Sequence, residues 1–243
     1  MTEAAAKRSN QQKNDVDRVD KMQLIITDLT EMSSGSFCVA GWDTQAQRMI
    51  RPLPNDANWT QGQLNQFGIT PGATVQFQVS NQPHASAYPH HTEDTRVDAA
   101  NVALVNAGPI NWFAHGAPPN APSLNAGFGG QLLYNSIWNG ARQGSHIAVG
   151  TQVPSLCGVL VLSQNLDFIE EFGRLKALLN DGQNSYKLAV SSRTLKNAWR
   201  NGGLVAATQA LPQTAQFHVR VGLARAFGNP ADKCYVMVNG VHG

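Results

Sequence analysis

The chain has 243 residues, of which 42% are hydrophobic and only 14% are charged, against about 25% charged residues in typical domains. This length fits one large domain or two small ones, with a hydrophobic core that needs no disulfides. No run of about 18 apolar residues occurs, which excludes a membrane-spanning helix, and the polar start of the chain shows no secretory signal. The three cysteines lie far apart and predict neither a disulfide framework nor a zinc site. We therefore expect a cytoplasmic protein with buried thiols.

Charge is distributed unevenly along the chain. Residues 1–20 carry four basic and four acidic side chains, residues 21–172 have a net charge of −5, and residues 173–243 have a net charge of +7. A basic last third is typical of a protein with a polyanionic partner. The alternative is that the acidic and basic parts of the chain attract each other, and net charge alone does not separate these two interpretations.

The first half of the chain predicts a disordered tail followed by short strands. Residues 1–20 are polar and aperiodic, which is typical of disorder. Thr74–Ser80 alternates apolar and polar residues, which indicates a half-buried strand. We expect residues 21–100 to form a first small β-barrel. Its predicted strands lie at residues 22–27, 36–42, 48–51 and 74–80.

The second half predicts another barrel after an irregular region. Residues 101–155 have no usable periodicity, which is typical of a loop-rich connection or insertion. One helix is predicted over Arg193–Asn201, with Ser192 as its N-cap and Gly202-Gly203 as its end. Strands without long alternating helices favour small barrels over βαβ units. We expect a second barrel over residues 156–243, with strands at residues 156–162, 174–179, 186–191, 217–223 and 234–238.

Three segments carry a family resemblance by their order along the chain. The first is Phe37-Cys-Val-Ala-Gly-Trp-Asp43 followed by Met49-Ile-Arg-Pro-Leu53, and the second is Pro89-His-His-Thr-Glu-Asp94. The third joins Val221–Phe227 to Lys233–Val241 near the end of the chain. Together these segments resemble the bacterial dual OB-fold domain family, often called DuOB. The resemblance implies a mainly β fold with two tandem OB-like small β-barrels, one short helix and a long loop-rich insertion.

The resemblance also carries an expectation about function. Members of the family are thought to bind nucleic acid or nucleotides, often near bacterial defence and mobile-element genes, and no catalytic residue set is agreed for them. We therefore predict a cytoplasmic, non-enzymatic protein that binds single-stranded nucleic acid or a nucleotide-derived ligand. A protein-interaction subunit of a larger complex is the alternative from another functional class. No cofactor or metal is predicted.

The basic residues of the second half suggest where phosphates would bind. Arg193, Lys196 and Arg200 share one face of the predicted helix, opposite Leu195, Ala198 and Trp199. That face either contacts phosphates or is an ordinary solvated face of an amphipathic helix. OB folds bind single strands with a basic groove and stacking aromatic rings. The predicted nucleic-acid-binding residues are Trp42, Arg48, Arg51, Lys187, Arg193, Lys196, Arg200, Arg220 and Arg225.

One cluster of His and carboxylate residues supports a third hypothesis, a nucleotide-processing enzyme. His91, Glu93 and Asp94 lie within four positions of one another. A zinc deaminase would also need a downstream Pro-Cys-x-x-Cys segment, which the sequence lacks. The structural interpretation is that Thr92 and Asp94 cap a turn and that Glu93 or Asp94 pairs with Arg51 or Arg96. Neither a Gly-x-Ser-x-Gly elbow nor a glycine-rich phosphate loop is present.

Overall fold

The computed structural model of the protein describes residues 21–32, 34–54, 57–80, 92–108, 120–226 and 229–243. These residues are mainly β and form a closed five-stranded barrel and a second, larger sheet. The predicted tail at residues 1–20 lies outside the described residues, as does residue 91 of the His and carboxylate cluster. Among the described residues, no helix has the length and apolar character needed to cross a membrane.

The barrel closes because its long first strand pairs with two neighbours, β4 near its start and β2 along most of its length. The barrel elements are β1 (Lys21–Glu31), β2 (Phe37–Asp43), β3 (Arg48–Pro54), α1 (Gln61–Gln66), β4 (Thr74–Val79) and β5 (Asp94–Asn106). The strand order is β1-β2-β3-β5-β4, in which only the β3–β5 pair is parallel. Thr60 and Gln63 form a capping box that starts α1 between β3 and β4.

The barrel core is organised around one tryptophan. Trp59 is fully buried and meets the rings of Phe67 and Phe77 edge-on at centroid distances of 6.5 and 5.8 Å. Its indole N–H donates a 2.7 Å hydrogen bond to the carbonyl of Pro52, which satisfies the ring's one polar atom. The predicted alternation of β4 is confirmed at its centre, because Val75 and Phe77 are fully buried while Gln76 and Gln78, which alternate with them, are half-buried.

The first barrel extends beyond the predicted boundary at residue 100. β5 continues to Asn106, and its far end pairs with Thr74 at the start of β4. Most side chains of β5 after Ala99 are exposed, so this half of the strand lacks the apolar alternation by which a half-buried strand is recognised. Residues 101–106 are therefore part of the barrel and not of a connection.

The second sheet repeats the strand order of the barrel without closing in the described residues. Its central path is β10-β11-β12-β14-β13-β9, with β12 and β14 parallel. A 3-10 turn at Ser163–Asn165 separates β9 from β10, which correspond together to one interrupted first strand. These strands are β9 (Leu156–Leu162), β10 (Leu166–Glu171), β11 (Arg174–Asn180), β12 (Ser185–Val190), β13 (Gln216–Leu223) and β14 (Lys233–His242).

Part of the predicted insertion belongs to this second sheet. The small elements involved are α2 (Leu124–Gly127), β6 (Ser136–Trp138), β7 (Ala141–Gln143) and β8 (His146–Ala148). β7 pairs with β12, and β8 pairs with β14. Leu124, Phe128 and Ile147 are fully buried in the same core as β9–β14. These residues therefore belong to the core of the second sheet. Their elements are too short and irregular to show a periodic pattern in the sequence.

The predicted helix begins at Arg193 and breaks at Gly202-Gly203 as expected, but a second helical segment follows the break. Ser192 caps α3 (Arg193–Gln209), and the helix loses helical geometry at Gly202 and Gly203, where the φ of Gly203 is +68°. A further helical segment follows, because alanines at positions 206 and 207 favour a restart after the break. With α1 and α2, the single short helix of the sequence-based prediction becomes four helical segments in the described residues.

Replacing Trp59 with alanine tests the barrel core. We expect Trp59→Ala to lower the free energy of unfolding by about 3–5 kcal/mol, because the ring is fully buried and hydrogen-bonded. Urea unfolding followed by circular dichroism measures this loss. The matched control is Phe172→Ala, which removes a ring that is 94% exposed and should change stability by less than about 0.5 kcal/mol. Equal losses in both variants would contradict the assigned core.

Candidate functional site

Buried polar groups join the barrel to the second sheet. The backbone N–H of Ser155 donates to Glu93 at 3.0 Å, and the Ser155 hydroxyl donates to the same carboxylate at 2.7 Å. Arg51 donates to the Ser155 hydroxyl at 2.6 Å and pairs with Asp94 at 2.9 Å. The predicted ion pair of Glu93 or Asp94 with Arg51 or Arg96 is thus observed as the pair of Asp94 with Arg51. Glu93 therefore joins the barrel to Ser155 directly, and Asp94 pairs with the buried Arg51, which donates to the same serine.

A second buried cluster centres on Asp28 in β1. Arg220 of β13 approaches Asp28 with 3.7 Å between Nε and the carboxylate, and His242 of β14 lies 3.3 Å away. Thr27 donates a 2.8 Å hydrogen bond to the same carboxylate at a β-bulge that shifts the register of β1. Burial raises the pKa of Asp28, but the hydrogen bond and charge of His242 and the charge of Arg220 outweigh it and lower the pKa overall. Asp28 is therefore an anion that faces the second sheet.

The basic face of α3 packs toward the barrel and does not form a free phosphate-contacting surface. Both terminal nitrogens of Arg200 donate to Glu31 of β1, at 2.6 and 2.7 Å. Lys196 lies 3.3 Å from the same carboxylate, and the guanidinium of Arg193 lies 5.0 Å above the ring of Phe37. These contacts support the second interpretation of the charge asymmetry, in which the acidic and basic parts of the chain attract each other.

Lys187 is also engaged inside the protein. Its side chain is buried, with Nζ 2.6 Å from Glu171 and 4.2 Å from the centre of the Trp138 ring. A lysine on the strand leading into the basic helix was predicted to reach phosphates, but β12 turns this side chain away from solvent. The alternation of side chains along a strand does not show which of its two faces another segment covers.

An open groove lies where the barrel meets the second sheet, and we call it the interface groove. Its volume is about 560 Å³. Trp42, Arg48 and Met49 line it from the barrel, and Leu156, Cys157 and Arg220 line it from the second sheet. Trp42 is only 3% exposed and packs with Met49 and Leu156, so its ring is a wall of the groove and not an open stacking platform. Arg48 is exposed at the same groove.

Arg220 is the most unusual residue of the interface groove. The residue is 2% exposed, and its Nε and Nη1 atoms have no hydrogen-bond partner among the described residues. Arg220 pairs in register with Gly158 of β9, where an added Cβ would lie 2.6 Å from Nη1 and 3.0 Å from the side-chain oxygen of Asn120. The missing side chain of Gly158 thus lets Arg220 and Asn120 pack against the backbone of β9. Buried polar atoms without partners, such as Nη1 of Arg220, are rare in folded proteins.

The neighbours of Arg220 are held in defined states. The amide nitrogen of Asn120 lies 2.8 Å from Nδ1 of His218. Burial lowers the pKa of His218, and the charges of His242 and Arg220 lower it further, so the ring is neutral and accepts the hydrogen bond from Asn120. This hydrogen bond orients the Asn120 oxygen toward Gly158 and Arg220.

Arg225, the remaining predicted cation, lies at a different cleft. It is exposed and lines a narrow space of about 50 Å³ between the barrel and the second sheet, together with Arg51 and Asp94. A water molecule occupies about 30 Å³ of liquid volume, so this space has room for solvent and none for a nucleotide.

The described residues offer little for metal or thiolate chemistry. Among them, no three His, Cys, Asp or Glu side chains come together as a metal site. Burial raises the pKa of the Cys157 thiol to about 12, so this groove residue is a protonated thiol at neutral pH. The groove offers an apolar wall and two guanidinium groups, and the Glu93 carboxylate that also lines it is hydrogen-bonded to Ser155.

Sequence reasoning missed Asp28, Asn120 and Gly158. A lone aspartate inside the apolar strand Leu24–Leu29 is a usable signal, because a buried carboxylate needs a charged partner. Asn120 and Gly158 carry no such signal, since their importance comes only from their approach to Arg220.

Comparison with known proteins does not assign the chain to a family. No family model matches the chain, and no curated protein matches it either. One solved structure with some similarity is a murine DNA-binding protein bound to double-stranded DNA, with a TM-score of 0.36 and 8% sequence identity. The alignment covers 92% of this chain and 93% of the murine chain. A TM-score and identity this low do not carry the neighbour's DNA binding over to this protein.

The Arg51–Asp94 pair can be tested by removing one charge. We expect Asp94→Asn to cost about 3–5 kcal/mol in the free energy of unfolding, because the buried guanidinium of Arg51 would lose the carboxylate paired with it. Asp98→Asn makes the same change on the same strand at a half-buried residue whose carboxylate accepts hydrogen bonds from Ala100 and Asn101, and it should cost much less stability. Equal melting temperatures for the two variants would contradict a structural role for the pair.

The contact between α3 and the barrel should show a pH signature. The hydrogen bond from Arg200, aided by the charges of Lys196 and Arg200, lowers the pKa of Glu31 below its ordinary value of 4.5. The stabilisation is therefore complete above the unfolded pKa and is lost as the pH falls through the lower folded pKa. Urea unfolding between about pH 6 and pH 3 should show a steeper loss for the wild type than for Glu31→Gln.

A matched substitution on the helix completes this pH test. Arg200→Gln removes the main partner of Glu31 and should flatten the profile in the same way as Glu31→Gln. If the wild type and both variants lose stability in parallel as the pH falls, Glu31 and Arg200 do not stabilise the interface.

Proposed function

We propose that this protein binds single-stranded nucleic acid or a nucleotide in the interface groove. The observation that carries the proposal is that this groove brings together Trp42, Arg48 and Arg220 from distant parts of the chain. An apolar wall beside two guanidinium groups suits a ligand that has both a flat base and a phosphate. The groove volume of about 560 Å³ lies within the range of about 300–1,000 Å³ found for small-molecule sites.

The charges that are not used within the protein point to the same groove. Arg51, Lys187, Lys196 and Arg200 pair with carboxylates of the chain itself. No carboxylate among the described residues pairs with Arg48, which is exposed. Arg220 pairs with Asp28 through Nε, but its Nη1 has no hydrogen-bond partner among the described residues. We therefore assign the phosphate contacts to Arg48 and Arg220, the two cations that line the interface groove, and a structural role to the basic face of α3.

We further propose that both parts of the protein are OB-like and that the chain is related to the DuOB family. A five-stranded barrel is typical of the OB fold. The second sheet follows the same strand order when β9 and β10 are taken as one interrupted strand, and each part has a helix before its fourth strand. The bacterial defence or mobile-element setting that the resemblance implies stays a prediction.

A protein-interaction subunit is the second candidate function. Tyr134 and Ile137 are 44% and 55% exposed and line one groove of about 400 Å³ with Arg142. Exposed apolar side chains grouped in this way are typical of protein contacts. Binding of this kind would show little salt dependence, whereas phosphate binding weakens steeply with salt.

Neutralising Arg48 tests the proposed function. Fluorescence anisotropy with a labelled single-stranded oligonucleotide measures affinity at several salt concentrations. We expect Arg48→Gln to weaken binding and to reduce the slope of log affinity against log salt by about 0.7, the value for one lost phosphate contact on a single strand. The fold should be unaffected, because Arg48 is exposed.

Arg174→Gln is the matched control for this experiment. It removes the same charge from the exposed start of β11, and Arg174 does not line the interface groove. The control should keep the affinity of the wild type apart from a small general electrostatic loss. Equal losses in Arg48→Gln and Arg174→Gln, or no binding by the wild type, would overturn the proposed function.

A further inference from the structure

Arg220 presents a buried positive group with unused hydrogen-bond donors to the interface groove. Arginine has five N–H donors in a planar arrangement that matches phosphate and carboxylate oxygens. In this protein Nε and Nη1 are buried and have no hydrogen-bond partner among the described residues. Leaving a buried donor unsatisfied is unfavourable, and more so for a charged group. A ligand oxygen that accepts from Nη1 would remove this cost.

Gly158 lets the guanidinium of Arg220 lie directly against the backbone of β9. An added Cβ at this position would lie 2.6 Å from Nη1, so any larger residue would compete for the same space. Asn120 is fixed on the other side through its hydrogen bond with His218. The donors of Arg220 are therefore pre-positioned before a ligand arrives, which reduces the entropy lost on binding.

The carboxylates near Arg220 already have partners. Asp28 accepts a hydrogen bond from Thr27 and contacts His242, and its oxygen lies 3.7 Å from Nε, beyond hydrogen-bond distance. Glu93, which also lines the groove, accepts hydrogen bonds from Ser155 and Leu156. Both carboxylates therefore have hydrogen-bond partners other than Nη1 of Arg220.

We infer that Arg220 forms a subsite for a terminal phosphate, either the phosphate of a mononucleotide or the phosphorylated end of a nucleic-acid strand. The inference rests on the proposed function and specifies its ligand. An internal phosphate is flanked by two sugars, whereas a terminal phosphate projects from the chain and can reach a residue that is 2% exposed. Arg48, at the same groove but exposed, is left to contact the rest of the ligand.

Paired ligands that differ only in a terminal phosphate test the subsite. The strands are an eight-nucleotide single strand with 5′-phosphate, with 3′-phosphate and with hydroxyls at both ends, and the small ligands are a nucleoside, its 5′-monophosphate and inorganic phosphate. Isothermal titration calorimetry gives the affinities. We expect the wild type to bind at least one phosphorylated ligand about tenfold or more tightly than its unphosphorylated partner, a ratio that corresponds to one charge-assisted contact.

The variants locate this preference in the groove. Arg220→Gln should reduce the ratio to about one, and Arg48→Gln should weaken every nucleic-acid ligand while keeping the ratio. Gly158→Ala should also abolish the ratio, because its methyl group occupies the space beside Nη1 without changing any charge. Its matched control is Gly62→Ala, where the added Cβ would meet only the Thr60 hydroxyl at 3.9 Å. If Arg220→Gln does not fold, Gly158→Ala decides the test.

Comparing strands with small ligands shows whether the phosphate belongs to a strand end or to a mononucleotide. It also tests the Arg220 subsite separately from the proposed function. Preference for the phosphorylated strand identifies a strand end, and preference confined to the monophosphate identifies a mononucleotide. If inorganic phosphate binds in an Arg220-dependent manner but no nucleic-acid ligand binds, the subsite stands and the proposed function fails. If strands bind with the same affinity with and without a terminal phosphate, or if the preference survives in both Arg220→Gln and Gly158→Ala, the subsite is wrong.

Discussion

The interaction on which the rest of the structure depends is the hydrogen-bonded contact of Glu93 with Ser155. A carboxylate at the start of β5 binds the backbone at the start of β9, and Arg51 bridges the same serine to Asp94. Buried charges of this kind require exact partners, because each group would otherwise lose its hydration without compensation. This requirement fixes how the barrel sits on the second sheet, and hence the shape of the interface groove.

Much of the charge asymmetry of the sequence is used in ion pairs between the barrel and the second half of the chain. Glu31 of the barrel binds Lys196 and Arg200 of α3, while Asp28 of the barrel faces Arg220. The acidic part and the basic part therefore attract each other, which explains much of the +7 net charge of residues 173–243 without a polyanionic partner. Arg48, which is exposed, and Nη1 of Arg220, which has no hydrogen-bond partner among the described residues, are not satisfied by this pairing.

The interface groove belongs to neither part alone. Arg48 lies on the barrel and Arg220 on the second sheet, and Trp42 packs against Leu156 across the boundary. The packing of the barrel against the second sheet places the buried guanidinium of Arg220 beside an apolar wall. A single small barrel with a solvated surface does not provide such a site. A ligand that contacts both sides would also stabilise the packing of the two units, since binding to the folded state adds to its stability.

Local sequence patterns predict the mainly β architecture, most strand positions and the start of α3. The alternation of β4 and the Ser192 cap depend on neighbours close in the chain, and such local patterns can be seen without a fold. The outer half of β5, the burial of Lys187 and the pairing of Arg200 with Glu31 were decided only by the tertiary structure. The physical reason is that a charge's role depends on which distant residue covers it. Arg200 and Glu31 are far apart in the chain, and only packing brings them within hydrogen-bond distance.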